Sequence, residues 1–451
     1  MTNDLSSLDT YEQRKEALLR GLASSRRAPI RLAKGTSNLF RDRSAVPAKR
    51  LDVSAFDHVL DVSPEAGWVD VEGMTTYETL VDGTLAHGLM PLVVPQLKTI
   101  TIGGAAAGVG IEATSFRHGL VHHTLREMEV LLGDGSVVLC SPDNEHSDLF
   151  FGFPNSYGTL GYALRVRAET QPVRRYVQVE HDRFDDVDAY FHAVEERVAG
   201  DADFLDGVVF GPRELYLSVG RFVDEAPWTS DYTYQRIYYR SVQERRLDYL
   251  ATSGYLWRWD TDWFWCSKNL YAQNPLVRRL YGARRLNSAT YTRIMRWNSR
   301  WQLTRRLDRL RGLHPESVIQ DVDIPLERAA EFLAFLHRDI RILPIWVCPI
   351  RAPASARRFD LYPMNAERTY VNVGFWDVVK ATEPHPPGHF NRLIEKQVQQ
   401  LGGIKSLYSD SYFAADEFWR IYNKPAYDRL KATYDPDGLL GDLYEKCVLR
   451  R

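Results

Sequence analysis

Residues 95–119 read PQLKTITIGGAAAGVGIEATSFRHG, and this density of small residues sets the segment apart from the rest of the chain. Its glycines are Gly103, Gly104, Gly108 and Gly110. Glycine lets the backbone approach a ligand closely, so that successive N–H groups can bind an anion such as a pyrophosphate. Glu112, Ser115 and His118 follow as polar groups able to hydrogen-bond a bound ring system. The segment predicts a nucleotide cofactor.

Two interpretations of this segment compete. Gly108, Gly110 and Ala113 match the G-x-G-x-x-G/A dinucleotide fingerprint, and Glu129 lies where a ribose-binding acid is expected. That fingerprint requires a helix and then a parallel strand. Two apolar runs joined by Asp-Gly at 134–135 follow instead, which is typical of an antiparallel hairpin and argues against a doubly wound sheet. A Gly/Ala-rich core segment without a ligand stays open as a structural alternative.

Composition limits the class of protein. The 451 residues are enough for two or more domains, and a net charge of −2 gives no global reason to expect nucleic acid binding. The four cysteines lie far apart without a C-x-x-C pair, so neither a zinc site nor a disulfide framework is indicated. The first thirty residues lack a central apolar block, and no apolar run elsewhere approaches about 18 residues. We expect a cytoplasmic protein that neither is secreted by this route nor spans a membrane.

The N-terminal third alternates strands with short helices. Residues 51–62 are rich in β-forming types, and residues 68–73 alternate with period 2, so both predict strands. Thr75 with Glu78 forms a capping-box pattern, which predicts a helix running through Leu85.

Two further loops bracket the glycine segment. Residues 34–41 read KGTSNLFR, and residues 156–161 read SYGTLG. With the P-x-x-x-T-I-G-G and G-x-G elements of residues 95–119, they resemble, in the same order, the FAD-binding domain of the vanillyl-alcohol oxidase, or PCMH, flavoprotein superfamily. By this resemblance, FAD would contact Lys34, Gly35, Thr36, Ser37, Asn38, Leu39, Thr99, Ile100, Thr101, Gly103, Gly104, Gly108, Gly110, Ile111, Glu112, Ser115, Gly158, Thr159 and Gly161.

The resemblance extends over most of the chain. GVGIEATSFRHGLVHH, YYRSVQ, ILPIWVCPI and GGIKSLYSDSYFAADEFWRIY look like stretches of the Δ24-sterol reductase branch. That branch reduces an isolated carbon–carbon double bond with FAD and NAD(P)H. Bacterial relatives reduce a methylene-branched fatty acyl chain to a methyl-branched one, and they imply a partner methyltransferase that makes the methylene precursor. The sterol enzymes carry an N-terminal membrane anchor that this sequence lacks, so we expect the fatty acyl substrate.

Three alternatives stay open. The first is reduction of a sterol side-chain double bond. The second is oxidation or dehydrogenation of an alcohol or sugar, and the third is a lipid-binding flavoprotein whose FAD is structural. The early loop has no His and no Cys precedes TIGG, which are positions of covalent flavin attachment elsewhere in the superfamily. The resemblance therefore implies non-covalent FAD.

The expected fold class is α+β. We predict a PCMH-type FAD-binding domain with two subdomains over residues 1–175 and an α+β substrate or cap domain over 176–400. Residues 401–451 form a C-terminal segment that returns to the FAD domain.

Reduction of an alkene needs a proton donor opposite the hydride source. Tyr408 and Tyr412, in the segment that returns to the flavin, are candidates, as are Glu112 and His118. Each also has an ordinary structural interpretation: pocket lining for the tyrosines, cofactor binding for Glu112 and loop capping for His118. No H-E-x-x-H pattern or cluster of His and Asp occurs, so no metal is expected.

Residues 228–312 change from aromatic-rich to arginine-rich. Rings at headgroup depth and cations on anionic lipid are typical of peripheral membrane contact. A solvated basic face beside an aromatic core is the plainer interpretation, and nucleic acid is a further one. With the cofactor hypothesis, we expect a lipid substrate presented by a carrier or by an anionic membrane at the inner face of the cell, and no nucleic acid partner.

Overall fold

The computed structural model describes residues 7–23, 29–33, 40, 48–301, 308, 311–354 and 357–451, except the side chains at 296 and 298–301. The early loop at residues 34–39, predicted to contact FAD, lies outside these residues. Helices and strands are both abundant, and the described strands form two large antiparallel sheets and one parallel pair, so the α+β class is confirmed. The helices are Ser7–Ala23, Tyr77–Leu85, Ile102–Ala107, Ser115–His118, Ser147–Gly152, Val187–Val198, Tyr238–Glu244, Thr252–Leu256, Pro275–Tyr281, Ser288–Trp301, Ala329–Phe335, His389–Gln400, Ala415–Ile421, Lys424–Tyr434 and Leu443–Cys447.

The first sheet is antiparallel and has six strands, with a separate parallel pair beside it. The parallel pair is β1 (Ile30–Ala33) with β2 (Lys49–Asp52). The six strands are β3 (Val59–Ser63), β4 (Trp68–Glu72), β5 (Leu89–Pro91), β6 (Leu125–Leu131), β7 (Val137–Cys140) and β8 (Tyr162–Pro172). Their order is β3-β4-β8-β6-β7, and β5 pairs with β8. The inward apolar residues of β4, β6 and β8 pack on the Tyr77–Leu85 and Ile102–Ala107 helices to form one core.

The Asp-Gly hairpin is present as predicted. Strands β6 and β7 are antiparallel, with Leu131 opposite Val137, and Gly135 takes the positive φ of 91° that the turn requires. Glu129 is buried in an ion cluster, where its carboxylate accepts from Arg165 and Lys15. It therefore has no role as a ribose-binding acid, and the doubly wound interpretation is excluded.

The predicted capping box is wrong by one residue. The helix Tyr77–Leu85 is capped by Thr76, whose hydroxyl accepts from Thr79 N at 3.3 Å. Thr75 instead donates to His58 O, and Glu78 pairs with Lys98. Two adjacent threonines offer the same local pattern, and the β-bridge of Thr76 with Thr101 selects the second.

The second sheet is antiparallel and has eight strands. They are β9 (Tyr176–Phe184), β10 (Phe204–Gly211), β11 (Glu214–Val223), β12 (Leu247–Ala251), β13 (His314–Pro325), β14 (Ile345–Ile350), β15 (Tyr370–Ala381) and β16 (Ile404–Lys405). Their order is β12-β9-β11-β10-β14-β15-β13-β16. The chain thus leaves the first sheet at Pro172 and enters the second at Tyr176. The domain boundaries at 175 and 400 stay predictions.

The last fifty residues contact the N-terminal part of the chain again. The Ile30 amide donates to Leu439 O, and the Lys431 ammonium donates to Thr159 O at 3.1 Å. An isolated parallel bridge joins Phe40 to Ser409, and Phe40 N donates to Tyr408 O. The end of the early loop is therefore held against the segment that contains Tyr408.

The aromatic half of residues 228–312 belongs to the core. The buried rings are those of Tyr232, Tyr238, Tyr239, Tyr255, Trp259, Trp263, Phe264 and Trp265. Their burial corrects the idea that these aromatic rings reach a bilayer. Arg278 is also buried, and its guanidinium forms a bidentate ion pair with Asp262. Within the described residues, no helix is both long and apolar enough to cross a membrane.

Candidate functional site

A large cleft lies between the glycine segment and the second sheet, with a volume of about 2180 Å³. Pockets for a drug-sized ligand usually measure about 300–1,000 Å³. The cleft therefore has room for a dinucleotide together with an extended second ligand.

Most of the predicted cofactor-binding residues within the described structure line this cleft. They are Thr99, Ile100, Thr101, Gly103, Gly104, Gly108, Gly110, Ile111, Gly158 and Gly161. Phe40, directly after the early loop, lines it as well, and so do Tyr408 and Tyr412. Glu112, Ser115, His118 and Thr159 are not part of its lining.

The glycines of residues 95–119 have two different roles. A Cβ added at Gly104 would meet one atom within 4 Å, the Thr101 hydroxyl at 2.8 Å, so the rest of its surroundings is open cleft. At Gly103 an added Cβ would lie 2.6 Å from Gly73 O, and at Gly110 it would lie 2.5 Å from Val121 Cγ2. Gly104 thus exposes bare backbone to a ligand, whereas Gly103 and Gly110 permit close packing.

The G-T-L-G loop needs glycine for backbone reasons. Gly158 and Gly161 have φ of 78° and 146°, a region that side chains disfavour. Between them, Thr159 is fully buried and donates to Ser156 O at 2.8 Å. The Thr159 hydroxyl therefore stabilises the loop and lies outside the cleft lining, and the FAD contact of this residue stays a prediction.

Glu112 lies in a buried ion network. Arg258 donates to Glu112 at 3.0 Å and to Asp206 at 2.9 Å, and the Trp346 indole donates to Asp206 at 3.1 Å. Burial raises the pKa of Glu112 to about 7, although Arg258 opposes that rise. The network joins the glycine segment to the second sheet and keeps the Glu112 side chain outside the cleft lining, so its roles as proton donor and FAD ligand stay predictions. The network also fixes Trp346, which does line the cleft.

His118 and Ser115 stabilise a turn instead of a ligand. Ser115 Oγ accepts from Glu112 N at 3.0 Å. His118 ends the short helix Ser115–His118 and contacts Gln171 on β8, and burial lowers the pKa of its imidazole. Neither residue is part of the cleft lining, and the catalytic role of His118 and the FAD contact of Ser115 stay predictions.

The second half of the cleft has an aromatic wall made by Trp263, Phe264, Trp346 and Trp376. The Phe264 ring lies 4.4 Å from that of Trp376 and 5.5 Å from that of Trp346. Trp263 and Phe264 both have positive φ, at 44° and 59°. Such conformations cost free energy in residues other than glycine and are concentrated at functional sites. This wall suits an apolar, extended ligand.

Comparison with known proteins supports FAD, the cofactor predicted from the sequence. Residues 16–141 match the family described as FAD binding domain. The Δ24-sterol reductase of Homo sapiens is 26% identical over 421 residues, covering 88% of this chain and 77% of that protein. The Arabidopsis thaliana Δ24-sterol reductase is 24% identical over 479 residues, covering 96% and 82%. Cytokinin dehydrogenase 10 of Oryza sativa subsp. japonica is 32% identical over 130 residues, covering 29% and 24%.

The chain is an FAD-dependent oxidoreductase homologous to the Δ24-sterol reductases. The geometry of the flavoenzyme fits that cofactor. Gly104 offers open backbone, the cleft has the volume, and Tyr157 and the two G-T-L-G glycines line the same region. The residues that would hold FAD are those of the glycine segment and the G-T-L-G loop on the cleft. When bound, FAD supplies the hydride chemistry.

Asp321, on β13, was not singled out from the sequence, yet it lines the cleft beside Tyr408 and Trp376. Burial raises the pKa of its carboxyl to about 7, an effect that the Tyr408 hydroxyl opposes and nearby Asp323 reinforces. Its Oδ1 has no hydrogen-bond partner among the described residues. Gly374 opposite makes room for it, since a Cβ there would lie 2.6 Å from Oδ1. Asp321 can therefore carry a proton at the cleft near neutral pH.

The two tyrosines differ in their surroundings. Tyr408 Oη accepts from the Trp376 indole at 2.9 Å, and burial, together with Asp321, keeps its pKa well above the usual value for tyrosine. It is placed to orient the Asp321 carboxyl. Tyr412 accepts from Arg450 at 3.0 Å and packs against Gly388. Burial raises the pKa of Tyr412, an effect that Arg450 opposes, and its role as proton donor stays a prediction.

Proposed function

We propose that the flavoenzyme reduces an isolated carbon–carbon double bond in a lipid, with NAD(P)H as electron donor, and that the lipid is a sterol with an unsaturated side chain. The human and plant relatives named above are Δ24-sterol reductases, and they match most of the chain. That similarity favours the sterol over the methylene-branched fatty acyl chain expected from the sequence.

The observation that carries the proposal is the composition of the cleft. Adding two hydrogens across an isolated double bond takes a hydride at one carbon and a proton at the other, in a site that excludes water. The exposed backbone at Gly104 suits the cofactor, the aromatic wall suits an apolar chain, and Asp321 is a protonatable group on the same lining beside Tyr408 and Trp376. We assign the proton to Asp321 and its orientation to Tyr408.

Steady-state turnover tests the proposal. Purified protein with NADPH or NADH would be given a Δ24-unsaturated sterol, and separately a phospholipid with a methylene-branched acyl chain. We expect one saturated sterol formed per nicotinamide oxidised, measured by mass spectrometry against cofactor absorbance. If only the acyl lipid gives a product, the substrate is the acyl chain and not the sterol, and the reaction is still the reduction of a carbon–carbon double bond. Turnover of an alcohol with oxygen, without reduction of either alkene, would contradict the reductase.

We further propose that the FAD is bound without a covalent link. The early loop has no His and no Cys precedes residues 101–104. Precipitation with acid should release the yellow chromophore into the supernatant. A coloured pellet after repeated washing would contradict non-covalent binding.

A further inference from the structure

We propose that residues 271–297 form a docking face for an anionic lipid bilayer beside the opening of the cleft. The face consists of exposed apolar and basic side chains: Tyr271, Leu276, Arg279, Leu280, Arg284, Arg285, Arg293 and Trp297. This inference concerns how the flavoenzyme meets a membrane, and it holds or fails separately from the reaction proposed above.

The sequence around the docking face carries only positive charges. Between Asp262 and Asp308 the sequence has no acidic residue, but it has one lysine and nine arginines. The net charge of the whole chain is −2, so this positive charge is local. A local positive surface attracts the anionic headgroups of a bilayer.

The arginines of the docking face are available for such headgroups. Arg279, Arg284, Arg285 and Arg293 are exposed, and none forms an ion pair with another described residue. The other described cations of the region behave differently. Arg278 is buried against Asp262, and Lys268 pairs with Asp377 at 2.7 Å. Arg278 and Lys268 therefore stabilise the fold, whereas the exposed arginines of the docking face can bind headgroups.

Large apolar side chains stand among these arginines. Leu280 is 81% exposed and Leu276 is 70% exposed, and they share one face of the helix Pro275–Tyr281 with Arg279. Tyr271 is 77% exposed and Trp297 is 57% exposed. Aliphatic side chains gain nothing from phosphodiester groups in water, but they gain free energy by entering the acyl boundary of a bilayer. This composition favours a membrane over nucleic acid.

The docking face is continuous with the cleft. Tyr271 and Trp297 belong both to the face and to the cleft lining, and Leu270 and Met295 lie beside them on the lining. A lipid leaving a bilayer on this side would meet the cleft opening without crossing water. The face thus provides a route for a water-insoluble ligand.

Vesicle sedimentation with the full-length holoprotein tests the proposal. We expect binding to phosphatidylglycerol vesicles that weakens as salt is raised, and much weaker binding to phosphatidylcholine vesicles. The double variant Arg284→Ala/Arg285→Ala should bind phosphatidylglycerol more weakly by roughly five-fold for each arginine removed. Leu280→Glu should also weaken binding.

Matched controls lie far from the docking face in the sequence. Arg213→Ala/Arg338→Ala removes two exposed arginines, and Leu139→Glu alters another exposed leucine. Both controls should bind as the wild type does. Equal binding to the two vesicle types, no binding to either, or equal losses in test and control variants would overturn the proposal, as would DNA binding without vesicle binding.

Turnover separates this inference from the proposed reaction. The docking variants should reduce a detergent-dispersed Δ24-sterol at the wild-type rate, because none of the altered residues lines the cleft. They should be slower with the same sterol embedded in phosphatidylglycerol vesicles. Wild-type protein that binds these vesicles but reduces no alkene would leave the docking face intact and refute the reaction.

Discussion

At the scale of single residues, Asp321 is the group on which the chemistry depends most. Its sequence context, Asp-Val-Asp in an alternating strand, is ordinary, so nothing local marks it out. The pairing of β13 with β15 places Gly374 opposite it and Trp376 nearby, and the C-terminal segment adds Tyr408. Such long-range contacts have no local sequence signal, whereas the tyrosine at 408 was found because its motif resembles a known family.

Replacing Asp321 by Asn should slow alkene reduction by about 10²- to 10⁴-fold, as is typical of a lost general acid. FAD content and flavin reduction by NADPH should stay close to wild type, since the amide occupies the same volume. Because the pKa of Asp321 is raised to about 7, the carboxyl is protonated below that pH, and the wild-type alkene step should fall as pH rises through 7.

The matched control is Asp377→Asn, which alters another carboxylate of the same cleft that is paired with Lys268. In Asp377→Asn the rate of alkene reduction should still fall as pH rises through 7, whereas in Asp321→Asn the rate should no longer depend on pH in this range. These profiles are read from the rate of flavin reoxidation by the alkene under anaerobic conditions. An unchanged profile in Asp321→Asn would assign the proton to another group.

At the scale of elements, the glycine segment shows what can and cannot be predicted. Its small residues, and the Asp-Gly turn after it, were sufficient to predict a ligand-binding loop and an antiparallel hairpin. The sequence does not distinguish the glycines that face the ligand, because Gly103 packs on the Gly73 backbone, 30 residues earlier in the chain, while its neighbour Gly104 faces the cleft. That Glu112 and His118 lie outside the cleft lining could not be predicted for the same reason: their partners Arg258 and Gln171 are distant in the chain.

Gly104→Val should abolish FAD retention while the protein stays folded. Its side chain would enter the cleft and displace the Thr101 hydroxyl, whose capping bond contributes about 1 kcal/mol. Gly211→Val is the control, since an added Cβ there meets nothing within 4 Å. Flavin absorbance per protein and the thermal midpoint distinguish the two effects. Normal flavin content in folded Gly104→Val would mean that this segment only packs.

At the scale of the whole molecule, two antiparallel sheets share one cleft, and a buried ion network connects them. Arg258 joins Glu112 of the glycine segment to Asp206 of the second sheet, and its guanidinium lies 4.0 Å over the Tyr255 ring. The two-part organisation was predicted because the resemblance covered most of the chain. The ion network was not predicted, because Arg258 lies 52 residues or more from Glu112 and Asp206 along the chain.

Arg258→Met should lower the free energy of unfolding by about 3–5 kcal/mol, because it leaves two buried carboxylates unpaired. Loss of the cation raises the pKa of Glu112 further, so the penalty should be smaller at pH 5, where the Glu112 carboxyl is protonated, than at pH 8. Denaturant unfolding at both pH values measures this. Arg213→Met, at an exposed arginine, should change little. A loss equal to that of this control would show that the network does not stabilise the fold.

The most direct test of the reductase assignment is a single turnover. Protein whose FAD has been reduced chemically in the absence of oxygen would be mixed rapidly with a Δ24-unsaturated sterol, and the return of oxidised flavin absorbance would be followed. We predict reoxidation by the sterol, with one saturated sterol formed per flavin. Reduced flavin that persists with every alkene offered, yet reoxidises at once with oxygen, would contradict the account and indicate an oxidase.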